Sequence, residues 1–153
     1  MFKDLYFILP ARKGSKRFPF KNRKLFKFTA DLVKDYADRV IVTTDDEEIM
    51  AMAKDYKFKI HKRKKGLASD KATTKDFMLD IEKKIKTSNM CLLYLTYPYR
   101  KMEDIVKLYY YFIKKKYTSL LTTQPVLTHP CLTIVKKDDK WVQSIKHDLC
   151  RSQ

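Results

Sequence analysis

No apolar run in the 153-residue chain approaches the roughly 20 residues that a bilayer-spanning helix requires, so no membrane-spanning helix is expected. Cysteine is sparse: Cys91, Cys131 and Cys150 are odd in number, far apart and without a C-x-x-C pair. That argues against a disulfide framework and against a zinc site, and it leaves reduced, structural thiols. Only two glycines occur. Neither G-x-x-x-x-G-K-[ST] nor G-x-G-x-x-G is present, so the chain carries neither a P-loop nor a dinucleotide fingerprint. His61, His129 and His147 have no suggestive spacing. They read as surface or packed residues, and no Ser/His/Asp or Cys/His hydrolytic arrangement is legible. The N-terminus shows neither a small-residue cleavage site nor the apolar core of a signal peptide, which makes a cytoplasmic protein the expectation.

What the chain does have is enough apolar surface for a core. Hydrophobic residues make up 44% and aromatics 13%, which excludes a disordered chain. A chain of this length buries roughly 70% of its unfolded surface, so one domain over residues 1–153 is expected. Its charge is one-sided: 34 Lys and Arg against 18 Asp and Glu, a net charge of +16. Such a field attracts phosphate-bearing partners and makes their binding salt-dependent. Nucleic acid stays among those partners as the less favoured one. The competing reading is a compositional bias, with lysines spread over solvated faces such as 62–65 and 114–116.

Short apolar runs alternate with helical patterns. Leu5 to Leu9, ending at Pro10, reads as a strand buried on both faces. Val40-Ile41-Val42 is a second, leading to Asp45 and Glu48 at capping-box spacing and then to Ile49, Met52, Ala53 and Tyr56 on one helical stripe. Thr73 is placed to cap a helix carrying Phe77, Ile81 and Ile85. Met90 to Leu95 reads as another strand, and 101–116 as a helix with Ile105, Leu108, Tyr109 and Phe112 at helical spacing. On this reading Tyr109 to Phe112 are a helix face rather than a base-stacking platform. A strand through Ser119 to Thr123 and a hairpin of Leu132 to Lys136, a turn at Asp138-Asp139, and Trp141-Val142 complete the pattern. The fold class predicted is α/β: three layers around a mainly parallel sheet, with ligands at the carboxyl ends of the strands.

Those ends follow Leu9, Val42 and Leu95. After the first comes Ala11-Arg12-Lys13-Gly14-Ser15-Lys16-Arg17, a loop of cations, a hydroxyl and a flexible glycine. Two or three charge-assisted hydrogen bonds, each on the order of 1.5–3 kcal/mol, would suffice for micromolar binding of a triphosphate. As bare composition the same loop reads equally as a solvated basic turn.

The order of motifs resembles the acylneuraminate cytidylyltransferase family, the CMP-sialic acid synthetases. That family's opening pattern, approximately A-R-x-G-S-K-x-x-P-x-K-N, is matched by Ala11, Arg12, Gly14, Ser15, Lys16, Pro19, Lys21 and Asn22. V-I-V-S-T-D-[DE]-E-x-I is seen as Val40 to Ile49, and L-A-S-D-x-A-[ST]-[ST] as Leu67 to Thr74. L-L-Q-P-T-S-P-L-R survives in worn form as Leu92 to Arg100, and a weaker H-P match falls at His129-Pro130. The resemblance implies a nucleotide-diphospho-sugar transferase fold, GT-A or Rossmann-like. It also implies transfer of CMP from CTP to a nonulosonic, sialic-type sugar acid with release of pyrophosphate, assisted by Mg2+. By the same resemblance Arg12 and Lys21 would be the catalytic cations holding the triphosphate. Ser15, Lys16 and Asn22 would position phosphates, while Ala11, Leu67, Ala68 and Ser69 would line the nucleoside site. Tyr94, Thr96 and Arg100 would face the acceptor, with a loop salt bridge the competing role for Arg100.

The chain also departs from that pattern. Tyr94 stands where the family has Gln, with Tyr97 and Tyr99 replacing smaller neighbours, and Phe20 stands where it has Gly. About sixteen residues between Asn22 and Arg39 predict a trimmed first crossover, too short for the family's first helix. The family pattern continues beyond residue 153, through dimer contacts and a magnesium-binding D-x-D-type motif. A chain shortened at the C-terminus is therefore expected, with metal ligands unknown unless Asp45, Asp46, Asp70 or the nucleotide itself serves, and with Asp138-Asp139 a turn. Arg151 and Gln153 faintly match an R-R-Q segment. Catalysis is expected to be weak or absent unless a partner chain supplies metal ligands. The reading leans toward an enzyme of unknown oligomeric state, the alternative being a non-catalytic nucleotide- or polyanion-binding module derived from the same fold.

Overall fold

Leu5–Pro10 forms β1, and its alternation sends Leu5, Phe7 and Leu9 to one face of a sheet and Ile8 to the other. The structure is a computed structural model describing residues 2, 4–14, 18–69, 71–85, 89–123 and 134–143. The chain divides into two compact units, 1–111 and 112–153. In the first, β2 (Val40–Thr44) pairs parallel with β1, and β3 (Lys59–Lys62) flanks β2. β4 (Asn89–Leu92) lies on the other side of β1, giving the order β3-β2-β1-β4 with every pairing parallel.

Parallel neighbours require crossovers. Helices supply them: α1 (Lys21–Val33) with a 3-10 stretch over Lys34–Arg39, α2 (Glu47–Asp55), the short α3 (Lys65–Ala68) and α4 (Thr74–Glu82). α5 (Met102–Lys114) follows β4. Phe26, Ala30 and Val33 of α1, Ile49 and Ala53 of α2 and Ile105 of α5 cover the face bearing Phe7 and Leu9. Phe77 and Ile81 of α4 cover the face bearing Ile8 and Ile41. The three-layer α/β/α arrangement with a parallel sheet is as expected. Phe7 is fully buried, with Phe2 packed edge-on at 5.4 Å between ring centres. Truncating such a residue to Ala costs about 3–5 kcal/mol.

Local chemistry sets the helix ends. Thr73 and Asp76 form a reciprocal capping box at α4, as the Thr73 cap predicts. The cap of α2 falls one residue later than expected: Asp46, not Asp45, accepts the Glu48 amide, because the Asp45 side chain is turned to Lys13. α2 ends in a Schellman motif, with the Lys57 amide donating to the Lys54 carbonyl at 2.8 Å and Phe58 to Ala53 at 2.9 Å. Lys57 holds a left-handed φ of 59° there.

Several expectations are corrected. The first crossover is not trimmed of its helix: α1 has 13 residues because it begins at Lys21, inside the motif rather than after it. Phe20, where the family pattern has Gly, keeps the left-handed backbone a glycine would favour, φ 56°. β3 went unpredicted, since its lysine-rich edge sequence shows no apolar run. β4 pairs only as far as Leu92, although the Leu93 amide still donates to the Ile8 carbonyl and Leu93 and Leu95 are buried. Residues 119–123 are not a strand: Leu120 and Leu121 are exposed and no ladder pairs with them among the described residues. Within 62–65, Arg63 is not solvated but 8% exposed.

Tyr109 lies on α5 and packs edge-on against Phe2, 5.3 Å between ring centres, as the helix-face reading requires. In the second unit β5 (Ile134–Lys137) and β6 (Lys140–Gln143) form the expected antiparallel hairpin. Asp138 and Asp139 take φ of 48° and 62°, the signature of a type I′ turn.

Candidate functional site

Sheet order reverses at β1: the chain steps from β1 to β2 on one side and returns to β4 on the other. In open α/β sheets the crevice beyond the carboxyl ends of two such strands receives ligands. The segments reaching it are the loop after β1 and the segment after β4.

Side chains at the end of β2 stitch the β1 loop down. The Ala11 amide donates to the Thr43 carbonyl at 3.0 Å, and the Ala11 carbonyl accepts the Thr44 hydroxyl at 2.6 Å. The Lys13 amide donates to Asp45 Oδ1 at 2.8 Å. From α1, Asn22 Nδ2 donates to the Arg12 carbonyl at 2.8 Å. Asn22 therefore acts on the loop backbone. Backbone groups of three successive residues are tied, which fixes where the Arg12 side chain starts. Lys21, half-buried, opens α1 one residue before Asn22.

Beneath this loop Asp46 is 2% exposed and takes Arg23 on both oxygens, Nε at 2.8 Å and Nη2 at 3.0 Å, while Arg23 Nη1 also meets Glu48. Burial opposes ionisation of Asp46. Hydrogen bonds from Arg23 and the Glu48 amide outweigh that and hold the carboxyl below its ordinary value.

A third wall comes from β3 and the segment behind it. Arg12 Nη1 donates to the Ser69 carbonyl at 3.4 Å, and Arg63 Nη1 to the Leu67 carbonyl at 3.5 Å, so two arginines grip the backbone of 67–69. The Ser69 hydroxyl is turned inward, donating to the Gly66 carbonyl at 2.8 Å. Burial pushes the Arg63 guanidinium below its ordinary value; Asp45 opposes that shift and Arg12 adds to it. Arg63 is the residue that sequence reasoning missed. The available signal was its position two residues after His61, on the same side of an extended segment.

After β4, the Tyr94 hydroxyl shares a 2.9 Å hydrogen bond with Thr74 Oγ1, tying it to the start of α4. Arg100 Nη2 donates to the Tyr94 carbonyl at 3.4 Å, and its guanidinium lies 5.8 Å from the Tyr97 ring centre. Arg100 Nη1 is buried without a hydrogen bond to any described residue, and burial lowers the pKa of the group. The loop salt bridge, the competing role for Arg100, is not among the described ion pairs; the side chain meets a carbonyl instead. Thr96 is exposed.

The structure thus brings Ala11, Arg12, Lys21 and Asn22 together around one loop, with Leu67, Ala68 and Ser69 joined to it through Arg12. Tyr94 and Arg100 form a separate linked pair. Ser15, Lys16, Asp70, His129, His147, Cys131, Cys150, Arg151 and Gln153 lie outside the described residues. Cys91 is half-buried and its thiol is pushed up to about 11 by burial, an inert structural cysteine. Among the described residues no group of three or more His, Cys, Asp or Glu is placed to hold a metal ion. Both Asp46 oxygens are engaged by Arg23, which removes Asp46 from the expected metal ligands. None of the described helices is long and apolar enough to cross a membrane.

The chain is similar to several known proteins. Pseudaminic acid cytidylyltransferase of Campylobacter jejuni is 30% identical over 123 residues, 71% of this chain and 53% of that protein. N-acylneuraminate cytidylyltransferase of Escherichia coli is 35% identical over 109 residues, 65% of this chain and 26% of that protein. A solved structure of CMP:2-keto-3-deoxy-manno-octonic acid synthetase complexed with CTP superposes with a TM-score of 0.62 at 17% identity, covering 74% of this chain and 49% of that one. At that identity the likeness is one of fold. The chain spans about half the length of the first of these relatives, or less for the second. Residues 6–143 match the family described as cytidylyltransferase, and with nine-tenths of its length inside that match the chain belongs to the cytidylyltransferase family.

Proposed function

We propose that this chain binds CTP at the β1 loop and serves transfer of CMP to a sugar acid of the nonulosonic type, with release of pyrophosphate. The observation that carries the reading is the fixed loop beside the β1/β4 crevice, where Thr44, Asp45 and Asn22 tie the backbone of Ala11, Lys13 and Arg12, with Lys21 next to Asn22 at the start of α1. Arg12 and Lys21 bind the triphosphate. As the acceptor oxygen forms its bond to the α-phosphorus and the bond to the departing pyrophosphate breaks, these cations stabilise the charge that collects on the leaving group. Ser15 and Lys16 belong to the same phosphate loop. Ala11 and the backbone of Leu67, Ala68 and Ser69 border the nucleoside, with Arg63 as a further cation beside them. Tyr94, Thr96 and Arg100 border the acceptor, where a phenol in place of an amide changes which sugar acid fits.

Magnesium stays in this reading as an ion that the triphosphate brings, since the described residues place no group of three or more His, Cys, Asp or Glu to hold it. A cytoplasmic location agrees with the substrates proposed. The net charge of +16 favours one competing reading, a module that holds polyanions without chemistry.

Calorimetric titration of CTP, with ATP as control and at a salt concentration that screens non-specific attraction, separates the two. CTP-selective binding that Arg12→Ala weakens at least tenfold supports the nucleotide site and leads to assays of pyrophosphate release with candidate sugar acids. Binding that ignores the base and collapses with salt supports the polyanion module.

A further inference from the structure

His61, Thr43 and Arg63 lie side by side at the carboxyl ends of β2 and β3. Thr43 is the register partner of His61, and Arg63 follows two residues on. Arg63 Nε donates to Thr43 Oγ1 at 3.0 Å. Thr43 Oγ1 is 2.9 Å from His61 Nδ1, and His61 Nε2 is 2.6 Å from Asp80 Oδ2 on α4. Lys84, one turn on, donates to that same oxygen at 2.9 Å. Thr43 and His61 are buried, at 0% and 5% exposure.

Within this row one assignment of protons gives every hydrogen an acceptor. Thr43 Oγ1 accepts from Arg63 Nε and gives its own hydrogen to a bare His61 Nδ1; a proton on Nδ1 could use the second lone pair of Oγ1 but would leave the Thr43 hydrogen without an acceptor in the row. His61 therefore carries its proton on Nε2 and donates it to the Asp80 carboxylate. The arginine end matters because a guanidinium is planar with its donors in a rigid fork. Anchoring Nε on Thr43 and the plane on the Phe77 ring, 4.2 Å from the ring centre, fixes where the remaining N–H groups point. Nη1 reaches the Leu67 carbonyl, and Nη2 makes no hydrogen bond to a described residue.

We propose that His61, anchored by Asp80, is a positioning residue that aims the Arg63 guanidinium at a bound nucleotide through the Thr43 hydroxyl. The proposal rests on the CTP reading only for what Arg63 meets; the hydrogen-bonded row stands without ligand. Protonating His61 would turn Nδ1 into a donor facing the Thr43 oxygen and add a cation beside Arg63. Burial resists that, as do the Lys84 and Arg63 charges, while Asp80 favours it. These are the charged groups that face the ring: Asp80 and Lys84 from α4, and Arg63 from the end of its own strand.

Two measurements test it. Nitrogen-15 NMR of the free protein at pH 7.5 should show His61 protonated on Nε2 alone and a protected Arg63 Nε–H. Thr43→Val should lose the Arg63 signal, and Thr43→Ser should keep it. A proton on Nδ1, or an Arg63 signal indifferent to Thr43→Val, overturns the proposal whether or not CTP binds. Calorimetry with CTP on wild type, Arg63→Ala, Thr43→Val and the double variant then reads the link to ligand. Thr43→Val should weaken binding about tenfold, with near-wild-type affinity for Thr43→Ser, and should cost nothing further once Arg63 is Ala. An equal loss in the Arg63→Ala background would show that Thr43 acts by another route and would overturn positioning. Wild-type protein that binds no CTP would defeat the nucleotide reading and leave the NMR result to decide the row.

Discussion

The Thr44 hydroxyl donates to the Ala11 carbonyl at 2.6 Å while accepting the Asp46 amide at 2.9 Å. One buried side chain therefore satisfies a backbone group of the β1 loop and another at the cap of α2. Thr44→Val keeps the shape and strands both. Leaving a buried polar group unsatisfied costs about 1–3 kcal/mol, so urea denaturation should show a loss of that size, with Thr44→Ser close to wild type.

Asp46 has two separable jobs, capping α2 and pairing with Arg23. Asn caps a helix about as well as Asp, whereas Ala forfeits about 1 kcal/mol. Asp46→Ala should therefore be less stable than Asp46→Asn by about that amount, both falling below wild type because each loses the Arg23 ion pair. Thermal melts of the three proteins check the order.

Lys57 occupies the left-handed position of the α2 Schellman motif at φ 59°. Glycine takes that conformation without the steric penalty of a Cβ. Lys57→Gly should raise stability by about 0.5–1 kcal/mol, seen as a higher urea midpoint. The side chain is exposed, so little packing is lost.

Acid should act in two stages. Burial lowers the pKa of His61 below its ordinary 6.5, so its contribution is present above 6.5 and is lost as pH falls through the lower folded value. Hydrogen bonds from Lys84 and His61 hold the Asp80 carboxyl down at about 2, against an ordinary 3.8. Its contribution is present above about pH 4 and disappears toward pH 2. Urea midpoints measured against pH should fall in both windows, and Asp80→Asn should flatten the lower one.

Asn22 donates to the Arg12 carbonyl. Asn22→Asp would set a carboxylate oxygen against that carbonyl, whereas Asn22→Ala only removes the donor. Calorimetry should find CTP affinity lowered about tenfold by Ala and by more in Asp, because repulsion moves the loop instead of freeing it.

Apolar runs and helical stripes made β1, β2, α2, α4 and α5 legible, because burial on a sheet writes a period into the sequence. Asp138-Asp139 marked the hairpin turn for the same kind of local reason. β3 was hidden: in an edge strand of Lys, Ile, His and Lys only Ile60 and His61 are covered, one on each face, too little to show as an apolar run. α1 was not expected because the motif residues Lys21 and Asn22 serve the helix and the loop at once, so the crossover looked too short. The basic loop and its Arg12, Lys21 and Asn22 could be named from order alone, while Arg63 looked like one more surface cation.

The amino-acid sequence by itself determined the layered α/β fold, the place of the basic loop after β1 and membership of the cytidylyltransferase family, since each depends on patterns between near neighbours in the chain. Only tertiary structure decided that Asp45 would hold Lys13 and Asp46 would hold Arg23. It also decided that Asn22 would tie the Arg12 carbonyl, and that Thr43, His61 and Asp80 would line up behind Arg63. Those contacts join residues 10 to 32 positions apart. Which donors and acceptors meet over such separations is settled by strand register and helix placement, which no local period encodes.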